Sequence, residues 1–400
     1  MSLDLTKVAA QVGSMVARLK ASGEQRQRRL QKALDTLNDK SIDIEGLKHK
    51  IDSSQTTWLV PGLVDGLSPR YKAPPLPPEF SVIATDGSHI DVDRHQSTRC
   101  YLINIGAVVL EYGASPQALL DSSPSLYFGD EELVIAADGK GRAQPIEGAL
   151  LGIKRAVDEC HRLAELAKEL PKDSSALALV DGSLILWGLA GQTYPEFVTE
   201  ALLVKGFLRH LEEMKRLNAE RRLALASYIS FPRSTDVVNA LRVALCPHET
   251  IDTDKDCSEC TSRECEAVAG VQDRELFSST LAEGERSALF SSRSKIVKDH
   301  YGGHWVYFFY LRVDGEIARV EIPQWVAQDE TLLALTHGLV LDQCRRGQGY
   351  PVALAEAHEQ AVVTGADRES FWQLVESLLI GEHLPTPTSA KSFSKRARWI

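Results

Sequence analysis

Between Leu3 and Leu37 the apolar positions Val8, Val12, Val16 and Leu19, then Leu30, Ala33, Leu34 and Leu37, recur at three- and four-residue steps. Lys, Arg, Gln and Glu fill the intervals. That period predicts an amphipathic helix or helical hairpin, interrupted at Gly23, whose apolar stripe needs a surface to lie against. The cluster Pro74-Pro75-Leu76-Pro77-Pro78 then imposes extended backbone and marks the start of the main domain. The short apolar stretches 81–85 and 176–180 and the Leu-, Ile- and Val-rich stretch 100–112 predict strands, and helical periodicity over 145–170 is stopped by Pro171. A long helix is expected over 196–222, a strand over 223–229 and a short helix near 237–245. Strands at 305–313 and 317–322 flank the turn Asp314-Gly315, and helical patterns close the chain at 330–345 and 367–380. Strands and helices thus alternate in a mixed α/β order. The expected organisation is an N-terminal helical region and linker (1–70), a main domain (80–382) and a basic tail (383–400).

Composition narrows the function classes. The 400 residues are 44% hydrophobic and 25% charged, enough apolar surface for one large or two medium cores. No stretch approaches the roughly 20 uninterrupted apolar residues of a membrane helix. Residues 1–19 carry Asp4, Lys7 and Arg18 without an apolar core or a small-residue cleavage site, so a cytoplasmic protein with no membrane partner is expected. With 45 Lys+Arg against 55 Asp+Glu the net charge is −10, which excludes a nucleic-acid coat protein. Positive charge is local: Lys205, Arg209, Lys215, Arg216, Arg221 and Arg222 form one group, and Lys391, Lys395, Arg396 and Arg398 another. Arg286, Arg293, Lys295 and Lys298, among Ser and Phe residues, are the group expected to contact phosphates.

Two of the strands, at 81–85 and 176–180, run into the same tripeptide, Asp86-Gly87-Ser88 and Asp181-Gly182-Ser183. If the strands are parallel neighbours, the two Asp residues meet just past their carboxyl ends, where glycine lets the backbone turn away. Converging carboxylates are hard oxygen ligands for Mg²⁺ or Mn²⁺ and suit phosphoester hydrolysis. The competing reading is turn chemistry, with Asp capping the next helix. A third acid is expected from the intervening helix, where Glu147, Glu159 and Glu165 are candidates. Glu159 is preferred because it lies an i, i+4 step from Arg155 and well inside the helix. His358, beside Glu356 and Glu359, would ligate a metal or carry a proton, or else simply be hydrogen-bonded near a helix start.

Four of the seven cysteines, Cys246, Cys257, Cys260 and Cys265, fall in one tract with His248. A Cys-x₂-Cys pair with two further thiols reads as a tetrahedral structural site, most simply for Zn²⁺, with an iron–sulfur cluster as the alternative. The tract 246–265 is expected to be a metal-stapled insertion distinct from the catalytic centre.

The set Ile83-Ala-Thr-Asp-Gly-Ser88, Arg155-Ala-Val-Asp-Glu159, Leu179-Val-Asp-Gly-Ser-Leu184 and Tyr350-Pro-Val-Ala-Leu-Ala-Glu-Ala-His358 resembles, in order, the motifs of the NurA nucleases, over roughly 81–379. The resemblance implies an RNase H-like mixed sheet flanked by helices and a Mn²⁺- or Mg²⁺-dependent nuclease acting on DNA ends and single strands, by endonucleolytic or 5′–3′ exonucleolytic cutting. It implies Asp86, Asp181, Glu159 and His358 as the two-metal site. It also implies a homodimer partnered with a hexameric HerA-type ATPase in DNA end processing. Two alternatives remain at this level: an RNase H-like nuclease for RNA or junctions, and a non-catalytic or partner-dependent metal-stapled adaptor of the ATPase.

Overall fold

The structure, a computed structural model, describes residues 4–93, 98–137, 141–191 and 193–384. Arg94 and His95 and the basic residues Lys391, Lys395, Arg396 and Arg398 lie outside them. In chain order the principal elements begin with α1 (Leu5–Leu37), α2 (Ile44–Ser53), β1 (Phe80–Ile90), β2 (Tyr101–Tyr112), β3 (Gln117–Tyr127), α3 (Ala149–Glu169) and β4 (Ser175–Asp181). There follow β5 (Arg222–Ile229), α4 (Asp236–Leu245), α5 (Thr253–Glu259), β6 (Val306–Val313), β7 (Glu316–Pro323), α6 (Glu330–Arg346), α7 (Val352–Ala361) and α8 (Gly365–Gly381). The expected mixed α/β class with helices flanking a mixed sheet is what the chain adopts. No helix among the described residues is long and apolar enough to cross a membrane.

Two compact units form. One comprises residues 73–229, 295–306 and 320–400, the other residues 1–72, 230–294 and 307–319. Within the second of these, 230–294 and 307–319 pack with the N-terminal helices. The reason is a shared apolar core, in which Ala33 and Leu37 of α1 and Leu47 and Ile51 of α2 join Val237, Leu241, Phe277, Phe290 and Phe308.

In the larger unit the strand order is β5-β4-β1-β2-β3. β1 runs parallel to β4, from Ser81 opposite Ala176 to Thr85 opposite Val180, and β4 runs parallel to β5. β1 is antiparallel to β2 along its whole length, Phe80 opposite Tyr112 through Ile90 opposite Leu102. This corrects the strand expected to end at Thr85: the ladder to β2 continues through Asp86-Gly87-Ser88, so only the parallel partnership with β4 stops there. β3, not expected from sequence, pairs with β2 at the outer end of that order. Most of its side chains are exposed and it carries Pro124, as an outermost strand can. The helix expected over 196–222 ends at Leu217 and contains a π-helical stretch, Glu200–Leu208.

In the smaller unit, α1 is one uninterrupted helix. Asp4 caps it by accepting from the Thr6 and Lys7 N–H groups, and the helix runs through Gly23, whose cost of about 1 kcal/mol relative to alanine weakens a helix without breaking it. Asp273 is buried and accepts the Val237 and Val238 N–H groups at the start of α4 and the Tyr310 hydroxyl at 2.6 Å. β6 and β7 are joined at Asp314-Gly315, both at positive φ (48° and 79°), as the right-handed twist of a tight hairpin requires.

Candidate active site

The register of β1 and β4 sets the site. Thr85 and Val180 are the last parallel pair, so Asp86 and Asp181 follow side by side at strand spacing. Beyond Asp181 the chain leaves the sheet at Gly182 (φ +87°), whose N–H is held by the Tyr228 carbonyl at 3.0 Å. Beyond Asp86 it does not turn. Gly87 stays in the strand, and its lack of a side chain serves α3 instead. A Cβ there would lie 2.5 Å from Glu159 Oε1 and 2.9 Å from Arg155 Cγ. The Thr85 hydroxyl, on the same side of the strand, donates to the Glu159 carbonyl at 3.0 Å.

Glu159 is almost fully buried (7% exposed). Arg155 Nε comes within 2.9 Å of Oε1, yet out of line for a hydrogen bond, and that buried oxygen has no hydrogen-bond donor. Burial raises the Glu159 carboxyl to about 8, opposed by Arg155 and reinforced by the negative charges of Asp86 and Asp181. Burial likewise raises Asp181, against a hydrogen bond from Tyr350 and aided by Asp86. Like charges that cannot all ionise comfortably together are what a bound cation would relieve.

The opposite face of β1 receives α7. Gly106, the cross-strand partner of Asp86, makes this possible: a Cβ there would overlap the Ala357 carbonyl oxygen and the Ala361 nitrogen. The Ser88 hydroxyl and the Asn104 amide donate to the Ala361 carbonyl and hold the end of α7 on the sheet. His358, in the last turn of α7, thereby reaches Asp86, with Nδ1 2.7 Å from Oδ2, while its ring remains largely exposed. Asp86 Oδ1 accepts the Gly87 N–H at 2.8 Å, so both its oxygens are oriented. On the Asp181 side, buried Glu321 accepts from the Ser183 hydroxyl (2.7 Å) and the Leu184 N–H (3.0 Å). Tyr301 bridges Leu184 and Leu186 through its hydroxyl. The loop after Asp181 is thus anchored by side chains from far along the chain.

Asp86, Asp181 and His358 therefore lie at the end of the β1–β4 ladder on the α7 face, and Glu159 approaches it from the α3 face, against Gly87. Glu147 is exposed just before α3, and Glu165 pairs with Arg162 and His161 two turns further along that helix. Sequence reasoning missed Tyr350, Glu321 and Gly106. Tyr350 lay inside a quoted motif and carried a signal; Glu321, an isolated acid in an apolar strand, carried a weaker one. Among the described residues no three His, Cys, Asp or Glu side chains meet tightly enough, as they stand, to hold an ion.

The basic residues expected to contact phosphates do not form one patch. Arg286 is buried, its guanidinium 4.0 Å from the Tyr71 ring and donating to the Ser287 carbonyl, so it is a core residue of the smaller unit. Arg293 is ion-paired with Asp52 in the same unit. Lys295 and Lys298 are exposed on the short helix Lys295–His300 of the larger unit. In the first basic group Arg221 is also internal, donating to the Ala167 and Leu170 carbonyls at the end of α3.

Comparison with known proteins brings few close likenesses. No curated protein matches the chain. Among solved structures, prototype foamy virus protease–reverse transcriptase is similar over 39% of this chain and 19% of its own, with 15% identity and a TM-score of 0.21. This chain thus spans about a fifth of that protein's length, and so low a score supports no argument from it. A family model, the NurA domain, matches residues 80–363, which contain every side chain of the site just described. The chain belongs to the NurA family, a nuclease-associated family.

Proposed function

We propose that this chain is a divalent-cation-dependent DNA nuclease whose site is Asp86, Asp181, Glu159 and His358. The observation that carries the reading is the placing of two aspartates directly after the last parallel pair of β1 and β4, near a buried glutamate oxygen that has an ion pair with Arg155 but no hydrogen-bond donor. The donor set fits Mg²⁺ or Mn²⁺: oxygen-rich, anionic and set on rigid strands and a helix. When bound, such ions would polarise a phosphodiester and lower the pKa of water at the scissile bond. Asp86 and Asp181 would be the ligands on the strand ends, and Glu159 the ligand reached past Gly87. His358 is oriented by Asp86 through Nδ1, which leaves Nε2 to ligate or to carry a proton at the solvent side of the site. Tyr350 supplies a hydrogen bond to the Asp181 carboxylate.

The order β5-β4-β1-β2-β3, with β1 antiparallel to β2 and parallel to β4 and a helix crossing between β3 and β4, supports an RNase H-like fold. Family membership supports DNA ends and single strands as substrate, a HerA-type hexameric ATPase as partner, a homodimer, and a cytoplasmic role in DNA end processing. The test is cleavage of end-labelled single-stranded DNA in Mn²⁺ and in Mg²⁺ by the wild type, Asp86→Asn and Asp181→Asn, with and without a HerA-type ATPase. Metal-dependent cleavage lost in both variants is expected. Cleavage retained by either variant would remove the assignment, and a wild type inert under every condition would leave an adaptor in its place.

A further inference from the structure

We infer that Cys246, Cys257, Cys260 and Cys265 form a second, four-thiolate metal centre in the smaller unit, built to hold a loop rather than to cut a phosphodiester. Three short stretches of chain bring the four cysteines to one cavity. Cys246 closes α4, its N–H bonded to the Arg242 carbonyl at 3.1 Å. Cys257 is in the last turn of α5, Cys260 caps that helix, and Cys265 lies in the 3₁₀ turn Glu264–Val268. All four line one cavity of about 210 Å³, together with His248, Trp58 and Arg242. None is in a disulfide.

The surrounding chain has little else to hold it. From residue 252 to residue 267 no side chain is buried, yet the segment is folded into one seven-residue helix and one 3₁₀ turn. Helices that short do not persist without tertiary support. The turn between them is also strained: Arg263, not glycine, sits at φ +46°, a conformation that costs about 1 kcal/mol or more. Its N–H is directed at Cys260 Sγ, 3.5 Å away. A backbone N–H directed at the second sulfur of a Cys-x₂-Cys pair is an outer-shell contact of the kind that orients a metal-bound sulfur. Arg242, packed over the Trp58 ring at 4.0 Å, lines the cavity along with Arg263, Asp256 and Glu266, and the Lys50 ammonium donates to the Cys246 carbonyl. The four residues line the cavity without their sulfurs meeting at one point, so binding an ion requires the side chains to change rotamer.

Two occupants share this thiolate chemistry, Zn²⁺ and an iron–sulfur cluster, and elemental analysis separates them. Full-length protein purified anaerobically is expected to hold either about one zinc per chain without visible colour, or iron and sulfide with a broad band near about 400 nm. Cys257→Ser and Cys260→Ser should each lose the metal to below about a tenth of the wild-type content, while Asp181→Asn keeps it. His248→Ala should also keep it. On the unaltered chain, a thiol-specific mercurial should release the metal in step with modification of these sulfurs, a readout that does not depend on any variant folding. Absence of zinc and iron from the wild type overturns the centre, as does retention after either cysteine change. Loss with His248→Ala overturns the four-thiolate ligand set.

Discussion

The two candidate cation sites of this chain are built in opposite ways. At the carboxylate site the ligands stand on long elements whose positions are fixed by a core: β1 and β4 are almost wholly buried along their parallel register, and α3 contributes Leu150, Leu151 and Leu163 to the same cluster. Side chains that touch no ligand, Ser88, Asn104, Glu321 and Tyr301, lock the surrounding backbone. At the thiol site only Cys246, at the end of α4, stands on a core element; the other three ligands stand on a short helix and turn between residues 252 and 267, where no side chain is buried. On the proposed reading the difference is one of causality: the core positions the carboxylates before any ion arrives, whereas the cysteine loop would take its shape from its ligand.

The largest effects should therefore be catalytic and local. Asp86→Asn and Asp181→Asn are expected to lower kcat by at least about 10³-fold, some 4 kcal/mol of transition-state stabilisation. Thermal unfolding of the metal-free variants should move by only a few degrees, or upward, because each change removes one of several crowded negative charges. Scanning calorimetry beside the cleavage assay checks this. A collapse in melting temperature equal to the loss of activity would erase the contrast between the sites.

Gly87→Ala comes next. The added methyl would meet Glu159 Oε1 at 2.5 Å and must displace either α3 or that carboxylate. An activity loss of about 10²-fold is expected, since an ångström of misplacement costs on that order. Gly106→Ala should be worse for the fold, because it strikes the backbone of α7 rather than a side chain. Hydrogen exchange along 352–361 together with cleavage rates would distinguish the two. If Gly87→Ala retains full activity, Glu159 does not act from where it sits.

These glycines show where sequence reasoning stopped. The two Asp-Gly-Ser tripeptides were legible because each follows a short apolar stretch, and the pairing of such stretches in parallel brings their ends together. What the sequence could not disclose is that one glycine turns the chain and the other does not. Gly182 leaves the sheet at positive φ, whereas Gly87 stays in a strand that β2 keeps paired as far as Ile90. That difference belongs to the partner strand, not to the tripeptide. Glu159 carried a better signal than its i, i+4 arginine: it falls in the apolar stripe of Ala156, Cys160 and Leu163, where an acid is out of place unless the site needs it. Arg286 misled for the converse reason. Its short strand is paired on both sides, with Tyr71 and Leu311 opposite the same residue, so the arginine is enclosed. Charge counted along the chain does not register enclosure. Nor does it show that 230–294 joins α1 and α2 in a common core, since contacts so distant in sequence leave no local period.

Chelation should separate the two sites by kind of effect. Removing Mg²⁺ or Mn²⁺ with a mild chelator should abolish cleavage and leave the proteolytic pattern unchanged. Stripping the thiol centre should open 246–268 to cutting by about tenfold or more, with little change in cleavage of DNA by the larger unit. Limited proteolysis with mass mapping reads both at once. Equal sensitivity of the loop with and without its metal would show that the turns hold themselves.

The gentlest test is pH, and it concerns the carboxylate site alone. The folded-state Glu159 carboxyl lies at about 8, against an ordinary 4.5 for the unfolded chain, so between those values the folded protein binds the extra proton. Its contribution is fully present below pH 4.5 and is lost as pH rises toward 8, at a slope approaching roughly 1 kcal/mol per pH unit. Asp181, also raised, acts in the same direction. The buried imidazoles of His210 and His304, held low by burial, act in the opposite sense and in acid, so they do not imitate it. Denaturant unfolding of the metal-free wild type should therefore weaken from pH 5 to pH 8 more steeply than that of Glu159→Gln, and saturating Mg²⁺ should flatten the wild-type curve by favouring the ionised carboxylate. Parallel curves for the two proteins would mean that Glu159 is already ionised without a cation, and the lone buried oxygen would then have found a partner other than metal.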